Sequence, residues 1–407
     1  MMRVMSVLLA IVVVCLAAPA SAQAPVTEIT GSLGSNSNYH IKVPTPWNGD
    51  LVIWNHGFSL GPLEEVPSLG PLETLQLAEG YAIAASSYRQ PGWATFRIQQ
   101  DLKNLYTVFR RNFGEPERVI VTGASLGGIV TIQAIEEANI GNVVGGLTVC
   151  GALAGSRNWD LALDIRLVYD AVCGSVPGAA IPGGARGLPK NSTFTSAQLG
   201  AAINACFSAT PEGFGRLGLF LGVTQIPPSF IGTDMGYATF ALADLTWDPL
   251  KLSGQIGVGN LNVDYGHPLI NASIARVAPN SGAEAKLDAN YMPTGDARGA
   301  KIVSLHTDKD GLVLVENESE YASRTDPANF TAAIAVESAP THCGFTPAET
   351  VASWESLRGW LAGSPQPTPA SMQIVCNAIV AGGVVAGPCR INPAFVIPDM
   401  DGRVRPR

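Results

Sequence analysis

The stretch VTGASLGG, Val121–Gly128, sets Ser125 between two glycines as Gly123-x-Ser125-x-Gly127. The same spacing occurs upstream in HGFSLG, where Ser59 lies between Gly57 and Gly61. A serine presented on a sharp turn needs a β-strand before it and a helix directly after it. The flanking small residues let the two backbones approach. RVIVTG before Ser125 is an apolar, β-branched run, and LGGIVTIQAIEEA after it is rich in helix formers. LVIWNH before Ser59 also reads as a strand, but Pro62, Pro67 and Pro71 prevent a regular helix from opening there. Ser125 is the expected nucleophile, and Ser59 is expected to be a loop residue lining the site.

Outward from that turn the pattern alternates. TEITGSL and YHIKVP read as short strands, PTPWNGD as a turn, LVIWNH as a buried strand and LETLQLAEG as a helix ending at Gly80. YAIAASS and NVVGGLTVCG are further strands, and ATFRIQQDLKNLYTVFRRNFG has helical spacing. Strands alternating with helices imply right-handed crossovers and a mostly parallel sheet flanked by helices, an α/β fold. The rhythm breaks after Gly155 and resumes with AKIVSLHTD, TAAIAVE and the helix-like TPAETVASWESLRGWLAG. Such a long Gly/Pro-rich insertion inside an α/β sheet is expected to be a cap or lid. The expected division is a core of residues 23–155 and 298–364, a cap of residues 156–297, and a Pro-rich linker and tail over residues 365–407.

The chain has 407 residues, 46% of them hydrophobic and 14% charged, enough to bury a large core. Its net charge of −8 and the lack of a Lys/Arg cluster argue against nucleic acid or an anionic membrane surface as partner. The opening MMRVMSVLLAIVVVCLAAPASAQA places Arg3 before a short apolar run and Ala20-Ser21-Ala22 after it. That is the pattern of an export signal over residues 1–22, cleaved after Ala22, and it implies a secreted or periplasmic protein. No later run is long enough for a membrane span. Removal of Cys15 leaves Cys150, Cys173, Cys206, Cys343, Cys376 and Cys389, an even set that suggests disulfides in an oxidising compartment. Cys173 with Cys206 and Cys376 with Cys389 are the locally plausible pairs, leaving Cys150 and Cys343. Without CxxC or HxxxH, no metal site is expected.

A serine hydroxyl needs a base, most often a histidine oriented by a carboxylate. The chain offers His40, His56, His267, His306 and His342. His40 falls in an early strand, His56 just before the Gly57 loop, His267 in the insertion and His306 at a strand end. His342 follows a strand and loop and precedes the last core helix. The acid should lie on the loop after the preceding strand, where Asp308 and Asp310 stand. Gly311-Leu312-Val313 can turn the chain back into the core and hold Asp310 at the strand's edge, so Asp310 is the expected acid.

Taken in order, His56-Gly57, GASLGG, DKDGLV and HCGF resemble the α/β-hydrolase superfamily. The resemblance implies an α/β-hydrolase fold with Ser125, Asp310 and His342 as a catalytic triad. It implies that the backbone N–H groups of Phe58 and Leu126 form the oxyanion hole, and that no cofactor is required. HCGF is also similar to tannase and feruloyl esterase relatives, which follow the catalytic histidine with a cysteine bridged to one just before the serine. Here Ala124 occupies that position, so Cys343 pairs elsewhere or stays free.

The activity implied is hydrolysis of a carboxylic ester, small or polymeric, through an acyl-serine. Trp54, Tyr88 and Trp93 stand near strand ends, where they either line a pocket or fill the core. A peptidase of the same fold is one alternative. It needs a charged anchor for a peptide terminus, and the thin spread of Glu and Asp between Ser156 and Gly299 disfavours it. A non-catalytic binding protein on the same scaffold is another, disfavoured because all three triad residues occur in order.

Overall fold

Apolar runs with two-residue alternation become one eight-stranded sheet in the computed structural model, which describes residues 25–34, 36–137 and 140–406. The expected export signal, residues 1–22, lies outside the described residues. The strands are β1 (Val26–Gly34), β2 (Ser37–Pro44), β3 (Asp50–Asn55), β4 (Ala82–Ser86), β5 (Arg118–Ala124), β6 (Val143–Val149), β7 (Lys301–Thr307) and β8 (Phe330–Ala335). Their spatial order is β1-β2-β4-β3-β5-β6-β7-β8. β1 and β2 pair antiparallel, β2 pairs antiparallel with β4, and all other pairs are parallel.

The alternation sorts side chains onto two faces. Helix α1 (Glu73–Ala78) packs through Leu77 against Ile83 and Ala85 of β4, while Leu51, Ile53, Val119 and Val121 join the core beneath helices α2 (Ile98–Phe113) and α3 (Leu126–Glu137). Val52, Ile120, Leu147, Val303 and Leu305 point the other way. Helix α3 is buried from Leu126 to Glu136, as an all-round apolar helix must be.

Between β6 and β7 the described chain is helical. It contains α4 (Arg157–Cys173), α5 (Ser196–Cys206), α6 (Pro211–Thr224), α7 (Ile231–Gly236), a π-helical turn at Tyr237–Ala241, α8 (Leu242–Trp247), α9 (Pro268–Ser273) and α10 (Ser281–Asp288). Polar anchors tie this segment to the sheet layer. Buried Glu136 on α3 accepts hydrogen bonds from Tyr291 Oη, from Thr294 N and Oγ1 at 2.7 and 2.8 Å, and from Gly295 N at 2.8 Å. Lys251 donates to the Pro91 carbonyl at 2.8 Å and pairs with Asp244.

After β7 come α11 (Asn317–Ala322), α12 (Pro347–Leu361) and α13 (Pro369–Ala381). α12 covers the second face, with Trp354 and Leu357 fully buried. The sequence pattern did not mark α13. It packs along α12, burying Met372 and Cys376, and Ile391 then bridges to Ala335 at the edge of β8. Three disulfides form: Cys173–Cys206 and Cys376–Cys389, as expected from proximity in sequence, and Cys150–Cys343. Three bridges fit a protein that matures in an oxidising compartment. Among the described residues, no helix is long and apolar enough to cross a membrane.

Candidate active site

Register brings the motifs to one edge. Asn55 of β3 lies opposite Gly123 of β5, and Ala124 lies opposite Val149 of β6. Loops leaving the carboxyl ends of the parallel strands therefore meet there, the usual place for a site in an open α/β sheet. Ser125 sits between β5 and α3 in the left-handed region, at φ 56°, a strained conformation for a residue with a side chain. The crossing is so close that a methyl group on Gly127 would collide with the Asn55 carbonyl, and one on Gly123 with the Gly127 carbonyl. The two glycines around Ser125 are thus steric requirements. Ser125 N donates to Val149 O at 3.0 Å, pinning the turn to β6.

His342 Nε2 lies 2.9 Å from Ser125 Oγ, and His342 Nδ1 lies 2.9 and 3.0 Å from the two oxygens of Asp310. Asp310 Oδ1 also accepts the N–H groups of Leu312 and Val313 at 2.9 Å, and Oδ2 accepts that of Cys343 at 3.3 Å. The carboxylate only accepts, so Nδ1 carries the ring proton and Nε2 is left to accept from the serine hydroxyl. Asp308 instead accepts from Glu337 N at 2.7 Å and stays outside this chain of contacts.

Leu126 opens α3, so its N–H is among the first four that have no intrahelical carbonyl. The loop after β3 passes close by, since a methyl group on Gly57 would stand 3.4 Å from Ser125 Cβ. Phe58 and Leu126 both line the cavity in front of Ser125 and His342. That cavity is about 170 Å³, with Trp93, Leu161, Ile165, Tyr237 and Leu312 among its apolar walls and Asn158 and Asp234 as polar exceptions.

Ser59, expected to line the site, does not. It is exposed, its Oγ accepts from Gly61 N at 3.1 Å, and it lies outside the cavity wall, because the proline-rich loop turns away. Of the three aromatic candidates only Trp93 reaches the cavity. Tyr88 is buried with its hydroxyl on the His56 carbonyl at 3.1 Å, and Trp54 packs under Gly70. His40 bridges Pro67 O and Glu28, and His56 stacks on Tyr88 at 3.9 Å between centroids, so both serve packing. His267 precedes α9 away from the cavity.

Sequence reasoning missed two contributors. Asp234 came from a segment with no readable pattern. Cys150 was the leftover of the cysteine count, and it bonds to Cys343 beside His342. Sγ of Cys343 lies 3.5 Å from His342 Nε2. Cys150, His342 and Cys343 bring potential metal-ligand atoms within 4.8 Å of one another, but the two sulfurs are bonded together and offer no thiolate.

His306 underlies the acid loop. It is fully buried, with Nδ1 2.9 Å from Glu318 Oε1 and Nε2 2.8 Å from Val313 O. Burial works against its charge, but the Glu318 carboxylate, Asp310 and the Val313 carbonyl outweigh burial and raise its pKa. A raised value in the folded state means that the stabilisation is complete below the unfolded value of about 6.5 and is lost as pH rises through the folded value. The stability gap between wild type and His306→Gln, measured by urea unfolding, should be on the order of 3 kcal/mol near pH 6 and close as pH rises. A gap independent of pH would contradict a charged His306.

This strand order, with Ser125 on the turn after β5, Asp310 after β7 and His342 after β8, is the α/β-hydrolase fold. No protein-family model matches the chain. Over 114 residues the chain is 32% identical to the o-phthalyl amidase of Xanthobacter agilis, a match spanning 27% of this chain and 24% of that protein. Among solved structures it is similar to feruloyl esterase B of Aspergillus oryzae, with TM-score 0.42, 12% identity and coverage of 84% and 82% of the two chains. Lipase A of Candida antarctica gives 0.41, 12% identity, and 93% and 83%. An esterase of Pyrococcus furiosus gives 0.38, 16% identity, and 84% and 92%.

Proposed function

We propose that this protein is an exported serine hydrolase that cleaves a carboxylic ester through an acyl-serine. The observation that carries the reading is the single line of contacts from Asp310 through His342 to Ser125, ending in a largely apolar cavity. His342 takes the hydroxyl proton as Ser125 attacks the carbonyl, and Asp310 holds the ring and favours its charged form. The N–H groups of Phe58 and Leu126 receive the developing oxyanion, each such donor contributing about 3–4 kcal/mol to the transition state. His342 then returns the proton to the leaving alcohol, and water repeats the sequence on the acyl-serine. The helical segment of residues 156–297 serves as the cap over this cavity, and residues 1–22 direct export with cleavage after Ala22.

The test is covalent labelling. Mature protein treated with a fluorophosphonate should lose hydrolysis of p-nitrophenyl esters in step with one label per chain, found on Ser125 by peptide mass mapping. Label on Ser59, or full labelling without loss of activity, would rule the assignment out. A second reading, hydrolysis of an amide, draws support from the partial identity to the phthalyl amidase. Anilides of the same acyl groups, assayed in parallel, separate the two.

A further inference from the structure

Asp234 stands in the cavity wall, yet no step of the proposed reaction uses it. It is 5% exposed, and its Oδ2 is buried with no hydrogen-bond partner among the described residues. Trp93 Nε1, on another wall of the same cavity, is in the same state. The placement of α7, which carries Asp234, is fixed. Phe230, just before the helix, presses its ring onto Gly311, leaving no room for a side chain on the residue after Asp310. The next turn along, Tyr237–Ala241, is π-helical and puts Tyr237 into the wall as well, a distortion found most often at functional sites.

A buried polar atom without a partner costs about 1–3 kcal/mol, and in a native structure it calls for an explanation. In a closed core nothing would recover that cost. On a cavity wall beside Ser125 and His342, a bound molecule can. Burial and the negative charge of Asp310 push the Asp234 carboxyl up to about 8, against the pull of Arg403. At neutral pH it therefore carries its proton and can both donate and accept. A hydroxyl group, itself one donor and two acceptor lone pairs, is complementary to it. An ammonium group would have to leave water for a mostly apolar cavity to meet an acid that is not yet charged, which is costly.

Resting on the ester-hydrolysis reading, we propose that Asp234 is a specificity-determining residue. It hydrogen-bonds a hydroxyl carried on the otherwise apolar part of the ester that enters the cavity, with Trp93 Nε1–H as a further donor. A site built in this way discriminates against the analogue lacking the hydroxyl far more strongly than an apolar pocket discriminates by one methylene.

The experiment uses matched ester pairs: ethyl butyrate with ethyl 3-hydroxybutyrate, ethyl benzoate with ethyl 3-hydroxybenzoate, and the corresponding amino-substituted esters. Wild type should favour the hydroxylated member of at least one pair by tenfold or more in kcat/KM. Asp234→Leu should level that ratio to within about twofold, and Asp234→Asn, which keeps a donor and an acceptor, should retain most of it. Asp234→Ala serves as the second deletion variant if the leucine variant does not fold. A ratio unchanged in the deletion variants overturns the proposal, as does a preference for the amino-substituted esters. Should wild type hydrolyse no ester at all, that reading falls separately. Calorimetry on Ser125→Ala with butyramide, benzamide and their 3-hydroxy analogues then decides. Tighter binding of a hydroxylated amide that disappears with Asp234→Leu supports the role of Asp234, and equal binding overturns it.

Discussion

Ser125→Ala should lower kcat/KM for a p-nitrophenyl ester by about ten-thousand-fold to a million-fold, and His342→Ala should do nearly as much. In the proposed mechanism Nε2 of His342 has one task, to take the proton of the hydroxyl 2.9 Å away, so the two losses should not add. Once either member is gone, the other has nothing to act on. Asp310→Asn should cost about ten-thousand-fold for a different reason. Asp310 accepts from the His342 Nδ1–H and from three backbone N–H groups. An amide nitrogen in that place would donate where the ring also donates, turning the ring to the wrong tautomer. Ser59→Ala, on the exposed loop, should retain wild-type rates. Steady-state kinetics on the purified variants decide the matter. A Ser125→Ala enzyme within tenfold of wild type would remove the nucleophile from the assignment.

Much of the site is legible in the sequence because local chemistry determines it. The glycines around Ser125 are needed where two backbones cross, and the prolines after Ser59 exclude a helix, so the two copies of the serine pattern separate without any tertiary information. Asp310 over Asp308 follows from the apolar residues that turn the chain inward, and Leu312 N and Val313 N are the groups that hold it. What the sequence hides is whatever depends on packing between distant segments. Asp234 looks like any other acidic residue until Phe230 meets Gly311. Helix α13 follows a proline-rich stretch that reads as a linker, and its amphipathic side becomes meaningful only against α12. The role of Cys150 rests on the register of β5 and β6, which no local pattern encodes.

That register also gives the second large effect, on the Cys150–Cys343 bridge. In the enzymes that HCGF resembles, the cysteine after the histidine is bonded to the residue before the serine. Here Ala124 fills that place, but Val149 lies opposite Ala124 on β6, and the next residue is Cys150. The sulfur arrives at the same junction from the neighbouring strand. Val149 O already holds Ser125 N, and Cys150 N is held by Leu305 O of β7 at 2.8 Å, so the bridge fastens the histidine loop to the strand end that fixes the serine. The bridge spans a sequence separation of 193 residues. Closing a loop of that size restricts the unfolded chain by on the order of 5 kcal/mol. The double variant Cys150→Ala/Cys343→Ala should therefore unfold at markedly lower urea. Where it is still folded, its kcat/KM should fall about a hundredfold with KM little changed, because a shift of about 1 Å in His342 is enough to spoil proton transfer. Cys376–Cys389, a separation of 13 residues, is joined to the histidine loop through Arg390 Nη2 on Gly344 O and Thr346 Oγ1 on Pro388 O rather than by a bond to Cys343 itself. Removing it should cost about 3 kcal/mol and change the kinetics of the folded enzyme much less. Equal kinetic losses in the two double variants would show that stability alone connects the bridge to activity. A loss confined to the Cys150–Cys343 variant would mean that the bond positions the base.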